Sequence, residues 1–103
     1  MKYIFVYITN PNEEEAKKIA KMLLDKKLIA CANIFPINSL YNWQGKFCDE
    51  KEFVLIGKTI ENKFIKIKDE VEKTHSYKCP CIIKLPIEVN EKYGEWLMGE
   101  IEK

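Results

Sequence analysis

Between Tyr3 and Thr9 the chain is apolar at odd and even positions alike: Tyr3, Phe5 and Tyr7 on one side of an extended backbone, Ile4, Val6 and Ile8 on the other. A strand patterned this way is covered on both faces. Asn10-Pro11-Asn12-Glu13 then reads as a helix start, with Asn10 as N-cap, proline in the first helical position and glutamate three residues after the cap. Ala16, Ile19, Ala20, Leu23 and Leu24 follow at helical spacing and predict one apolar stripe. Three glutamates open that helix, and Lys26 and Lys27 close it, in the sense the helix dipole favours.

Leu28 to Thr59 is strand-rich. One arm runs from Leu28 to about Trp43, Gln44-Gly45 forms the turn, and the second arm runs from Lys46 to Thr59 with Phe53, Val54, Leu55 and Ile56 as its buried stretch. Pro36 marks a bulge or an edge position. Arms of about a dozen residues exceed the usual five or six, so part of the hairpin must project beyond a small core. Thr59 is placed to cap a second helix carrying Ile60, Phe64, Ile67 and Val71, which ends before the loop Thr74-His75-Ser76-Tyr77. Cys81 to Val89 reads as a strand, and Asn90 caps a last helix with Tyr93, Trp96, Leu97 and Ile101, weakened by Gly94 and Gly99.

The order β-α-β-β-α-β plus a C-terminal helix predicts an α+β, ferredoxin-like split sandwich with both main helices on one face of an antiparallel sheet. The other face is left apolar and bare, which marks an interface, and the projecting hairpin offers strand edges that need partners. A homo-oligomer accommodates both features better than a monomer with a greasy sheet.

With 103 residues and 47% hydrophobic positions, the chain forms a single domain over residues 1–103. A net charge of +1 gives no electrostatic case for nucleic acid or an anionic membrane. All 17 basic residues are lysine, which removes the bidentate arginine fork used to grip phosphate and carboxylate. An acylphosphatase-type enzyme on this fold, which needs arginine, is thereby excluded. RNA binding lacks its basic-aromatic strand signature. The apolar start is too short for a signal sequence and nothing approaches a membrane span, so the expected compartment is the cytoplasm. There the four cysteines, Cys31, Cys48, Cys79 and Cys81, are thiols, and their spacing matches no structural zinc site.

Three stretches stand out: Leu28-Ile29-Ala30-Cys31-Ala32-Asn33, Ser39-Leu40-Tyr41-Asn42-Trp43-Gln44-Gly45-Lys46, and His75-Ser76-Tyr77-Lys78-Cys79-Pro80. Together with Lys58-Thr59, Tyr93 and Trp96-Leu97, they resemble, in order and over nearly the whole chain, the divalent-cation-tolerance protein family (CutA). The resemblance implies a tight homotrimer similar to the PII nitrogen-signalling proteins, a link to tolerance of copper and other divalent metals, and no established catalysis. It implies no obligatory cofactor and admits copper or another divalent ion.

An intersubunit cleft for a small ligand would draw on Cys31, Tyr41, Trp43, Lys58, Tyr77 and Trp96. Cys31, which matches the family's cysteine, also reads as a small buried hydrophobe, and Trp43 as interface packing. Lys58 gains interest as a lysine just ahead of a helix N-terminus, where anions bind. The metal set is His75, Cys79 and Cys81, since imidazole and thiolates suit copper or zinc and alternate strand residues share a face. Against it, Pro80 separates the thiols, and a lone histidine also serves as a structural hydrogen-bonder. Some family members carry a cysteine where this chain has Ile8 and a second histidine where it has Thr74. Two functions follow: a non-enzymatic trimer of metal homeostasis, or a PII-like signalling module binding a small anion or nucleotide between subunits.

Overall fold

The structure, a computed structural model, describes residues 1–102. Four strands and three helices alternate in the order expected: β1 (Tyr3–Asn10), α1 (Glu13–Asp25), β2 (Cys31–Trp43), β3 (Lys46–Ile60), α2 (Phe64–Thr74), β4 (Ile82–Ile87) and α3 (Glu91–Ile101), with a 3-10 turn at Glu61–Lys63 before α2. The strands form one antiparallel sheet in the order β2-β3-β1-β4. This is the ferredoxin-like split arrangement with its long central hairpin and C-terminal helix.

Ile4, Val6 and Ile8 are buried with Leu55 against Ile19, Leu23, Ile67 and Val71, so α1 and α2 cover the same face. Leu24, expected in the α1 stripe, lies outside it and is exposed. Opposed strand residues share a face, so Tyr3, Phe5 and Tyr7 lie on the other side with Ile60, Lys58 and Ile56 of β3 and Ile87, Leu85 and Ile83 of β4. There α3 covers one end only: Leu97 and Ile101 bury Ala30 and Ile60 beside Tyr3.

Several expected boundaries move. Asn12, not Asn10, caps α1, accepting from the Glu15 N–H at 2.8 Å. β1 runs on to Asn10, whose side-chain amide donates to the Ile8 and Phe53 carbonyls, each at 3.2 Å, while its Oδ1 meets no helix N–H and is left buried without a partner. The helix ends with Lys27 in the left-handed region (φ 57) and with bonds from the Lys27 N–H to the Leu24 carbonyl and the Leu28 N–H to the Leu23 carbonyl. Lys26 reaches across to Glu70 of α2 at 3.0 Å.

Leu28–Ala30 precede β2 rather than belong to it. Thr59 is part of β3, not a helix cap: its hydroxyl donates to the Leu28 carbonyl at 2.7 Å, and the Ala30 N–H bonds the Lys58 carbonyl at 2.9 Å. Ile60 follows into β3 and packs under α3 instead of joining the α2 stripe. Thr74 lies inside α2, β4 is shorter than the expected Cys81–Val89, and Asn90 precedes α3 without a side-chain capping bond.

Pro36 opposes Phe53 in unbroken register, so it marks an edge and not a bulge; Pro86 lies in the other edge strand, β4. Gln44 and Gly45 make the hairpin turn, both with positive φ (51° and 79°), the two-residue geometry that matches strand twist. The hairpin draws the molecule out to 45 × 24 × 21 Å.

Two substitutions test this packing. Val6 has no exposed surface, and Val6→Lys buries an ammonium among aliphatic side chains, at a cost exceeding about 4–5 kcal/mol. That is comparable with the whole stability of a small domain, about 5–15 kcal/mol. Circular dichroism should show no cooperative thermal transition. A Cβ on Gly57 would stand 2.9 Å from the Ile29 Cγ2 in the core, so Gly57→Ala should cost about 1–3 kcal/mol by overpacking, read as a lowered denaturation midpoint with an unchanged slope.

Candidate functional site

The face that α1 and α2 leave free carries a cleft of about 520 Å³ lined by Thr9, Tyr41, Trp43, Glu52, Ser76, Tyr77, Lys78, Cys79 and Cys81. Its walls come from the end of β1, the hairpin and the loop between α2 and β4. A loop without regular structure holds a shape only if its polar groups are fastened, and here the fastenings are specific. His75 Nε2 bonds the Thr9 carbonyl at 2.9 Å, and its Nδ1 accepts from the Tyr77 N–H at 3.0 Å, which assigns the proton to Nε2. The Ser76 hydroxyl and N–H both donate to Glu15 of α1, at 2.9 and 3.3 Å. The Tyr77 ring lies 4.7 Å from the His75 ring, and its hydroxyl donates to Glu52 of β3 at 2.6 Å.

Glu52 is 7% exposed, among the few buried charged residues; the Tyr77 hydroxyl compensates its carboxylate. Burial, and then the bond to Glu52, push the Tyr77 phenol well above its ordinary range. Further out on the hairpin, the Tyr41 hydroxyl donates to Glu50, and that bond takes its phenol up to about 12. Both phenols therefore remain hydrogen-bond donors throughout the physiological range.

Within a single chain the residues expected in an intersubunit cleft divide into two groups. Tyr41, Trp43 and Tyr77 line the cleft just described. Cys31, Lys58 and Trp96 lie at the α3 end of the same face, six residues along β3 from Glu52, or about 20 Å. There Cys31 opposes Lys58, the Lys58 ammonium stands 5.4 Å from the Tyr93 ring, and the Tyr93 ring packs at a tilt against Trp96, 5.4 Å between centroids. Burial, with a hydrogen bond to Cys31, raises the Tyr93 phenol. Lys58 lies inside β3, not ahead of a helix, so the helix-terminus argument for an anion does not apply to it.

The expected metal set is also divided. The His75 side chain is enclosed and both ring nitrogens are engaged, so the lone histidine fastens the loop. Among the described residues no three His, Cys, Asp or Glu side chains converge on a metal position. Cys79 and Cys81 do line one cleft; Cys79 is exposed, while burial pushes the half-enclosed Cys81 thiol up. Ile8 and Thr74 supply no ligand: Ile8 is core, and the Thr74 hydroxyl bonds the Glu70 carbonyl at 3.0 Å. Cys48 sits on the hairpin with its thiol toward the Lys46 carbonyl, 3.8 Å away.

Sequence reasoning passed over Glu52, Thr9 and Tyr93. Glu52 stands in the run Asp49-Glu50-Lys51-Glu52, which reads as solvated surface. The signal available was parity: Glu52 lies on the same side of the strand as Val54 and Ile56.

Among the described residues no helix is long and apolar enough to cross a membrane. A model of the CutA1 divalent ion tolerance protein family matches residues 4–100. The divalent-cation tolerance protein CutA of Archaeoglobus fulgidus is 50% identical over 99 residues, covering 95% of this chain and 97% of that one. The Thermus thermophilus protein of the same name is 45% identical over 94 residues, covering 89% and 91%. A solved structure of the Archaeoglobus fulgidus protein, described as periplasmic, superposes with a TM-score of 0.93 at 47% identity over 96% of this chain and 98% of that one. A crystal structure of Pyrococcus horikoshii CutA1 superposes with a TM-score of 0.93 at 40% identity, covering 97% and 99%. The match runs through both strands of the hairpin, the fastened loop and α3, and on that basis this chain belongs to the CutA1 divalent ion tolerance family.

Proposed function

We propose that the protein acts in divalent-metal tolerance, with copper as its principal ion, as a homotrimer that binds and sequesters rather than catalyses. The observation that carries the assembly is the uncovered sheet face. Phe35, Ile83 and Leu85 are exposed on it, Tyr41 and Trp43 continue it along the hairpin, and Trp96 borders it on α3. An apolar band of this extent needs a partner, and copies of the same chain supply a self-complementary one. The number three is what the resemblance to the CutA family implies, and the metal role is supported by the relatives' names.

The cleft supports a binding role. Its histidine is held by backbone groups, and the Cys81 thiol in the same cleft is raised by burial, where an activated nucleophile would be lowered. Four free thiols suit a reducing compartment, and the cytoplasm is the location we propose. The signalling alternative retains the cleft but loses the anion argument at Lys58.

Leu85 is 44% exposed in the single chain, so Leu85→Lys costs the protomer little yet puts a charge in the middle of the proposed contact. Native mass spectrometry should give trimer for the wild type and monomer, or a sharply weakened trimer, for Leu85→Lys. Ile65→Lys, equally conservative in chemistry but on the outer side of α2, should leave the trimer intact. A monomeric wild type, or a trimer indifferent to Leu85→Lys, overturns the assembly. A strain deprived of the protein should cease growth at a copper concentration that its parent tolerates, and equal tolerance overturns the metal role.

A further inference from the structure

Cys79 and Cys81 flank Pro80 and line the same cleft wall. A residue before proline is pushed into the extended region, and proline's own φ is compatible with an extended chain. Residues i and i+2 of an extended segment point the same way, about 6.6 Å apart. A disulfide wants Cβ atoms about 3.5–4.5 Å apart, closer than this spacing provides. Two sulfurs bridged by an ion, with metal–sulfur bonds of about 2.3 Å, stand about 4.6 Å apart. Thiols on i and i+2 of such a segment can span that distance, and these two line one cleft.

The surroundings restrict which ion fits. Tetrahedral zinc needs four ligands; among the described residues no three His, Cys, Asp or Glu side chains converge on a metal position, and His75 is engaged on both nitrogens. Soft thiolates with no third donor suit Cu(I), which is content with two collinear sulfurs. Two thiolates around a monovalent ion leave one net negative charge, and Lys78, between His75 and the thiols in sequence, lines the cleft with its ammonium available to offset it.

We propose that Cys79 and Cys81 form a two-coordinate site for a soft monovalent cation, Cu(I) or its surrogate Ag(I), in the wall of the cleft. The site rests on the proposed function only in taking a metal ion as cargo, and it names the ion class and the ligands.

The test is an anaerobic competition titration of the reduced full-length protein with Cu(I) against a chromogenic Cu(I) chelator. Native mass spectra of the same samples report assembly. The expected result is one Cu(I) per protomer. Cys79→Ser and Cys81→Ser should each weaken binding by more than the roughly 10–100-fold that losing a supporting group around a metal site costs. Cys31→Ser and Cys48→Ser should retain wild-type affinity, and X-ray absorption should show two sulfur neighbours. Wild-type affinity in the Cys79→Ser/Cys81→Ser double variant, nitrogen or oxygen neighbours, or Zn(II) bound as tightly as Cu(I) overturns the site. A wild type that assembles but takes no Cu(I) overturns this site and leaves the trimer standing. A monomer that takes Cu(I) on the pair overturns the trimer and leaves the site standing.

Discussion

The constraint behind the rest of the molecule is that β1 and β3, the two central strands, are apolar on both faces, while α1 and α2 cover one of them. Ile4, Val6 and Ile8 go under α1 and α2; Tyr3, Phe5 and Tyr7 face the other way. The third helix, α3, reaches only the Tyr3–Ile60 end. The shortage of cover is therefore local to the middle of the face and the root of the hairpin, and the cleft lies there.

Within that arrangement the loop after α2 holds the cleft's shape. It is tied at three points: His75 to β1, Ser76 to α1 and Tyr77 to β3. Each tie uses a polar group that would otherwise be buried without a partner or left to compete for ligands. The single histidine illustrates the consequence. An imidazole with one nitrogen donating to a carbonyl and the other accepting from an amide has no lone pair left for a metal. Its structural use pushes any metal chemistry onto the sulfurs that follow it in the chain.

Element order, sheet class, hairpin turn and the bare face were legible because they depend on local periodicity and on proline and glycine chemistry. Strand alternation from Tyr3 to Ile8 and the Gln44-Gly45 turn need no knowledge of distant residues. Boundaries decided by long-range bonds were not legible. Asn10 looks like a helix cap until Phe53 is brought beside it, and Thr59 looks like one until the Leu28 carbonyl claims its hydroxyl. The site suffered the same way. The Glu52–Tyr77 pair spans 25 residues, and whether a carboxylate in a charged run turns inward depends on a register set by β1. Within one chain Cys31, Lys58 and Trp96 stand apart from Tyr41, Trp43 and Tyr77, because sequence shows that residues share a face but not how far apart along it they lie; a cleft between subunits would draw the two groups from different copies.

The Glu52–Tyr77 bond also bears on how the face can be closed by another copy. Covering a carboxylate with apolar surface is costly unless its hydrogen bonds are already in place, because the penalty for an unpaired buried charge exceeds what the added apolar contact returns. Here the phenol donates before any partner arrives, and the raised Tyr77 and Tyr41 phenols keep that donation intact at any physiological pH. Glu50 is handled in the same way by Tyr41, diagonally across the hairpin. A second copy approaching this face thus meets an apolar band in which the nearby carboxylates are internally compensated. In the proposed assembly, shape and apolar area rather than charge pairing with these carboxylates then set the contact.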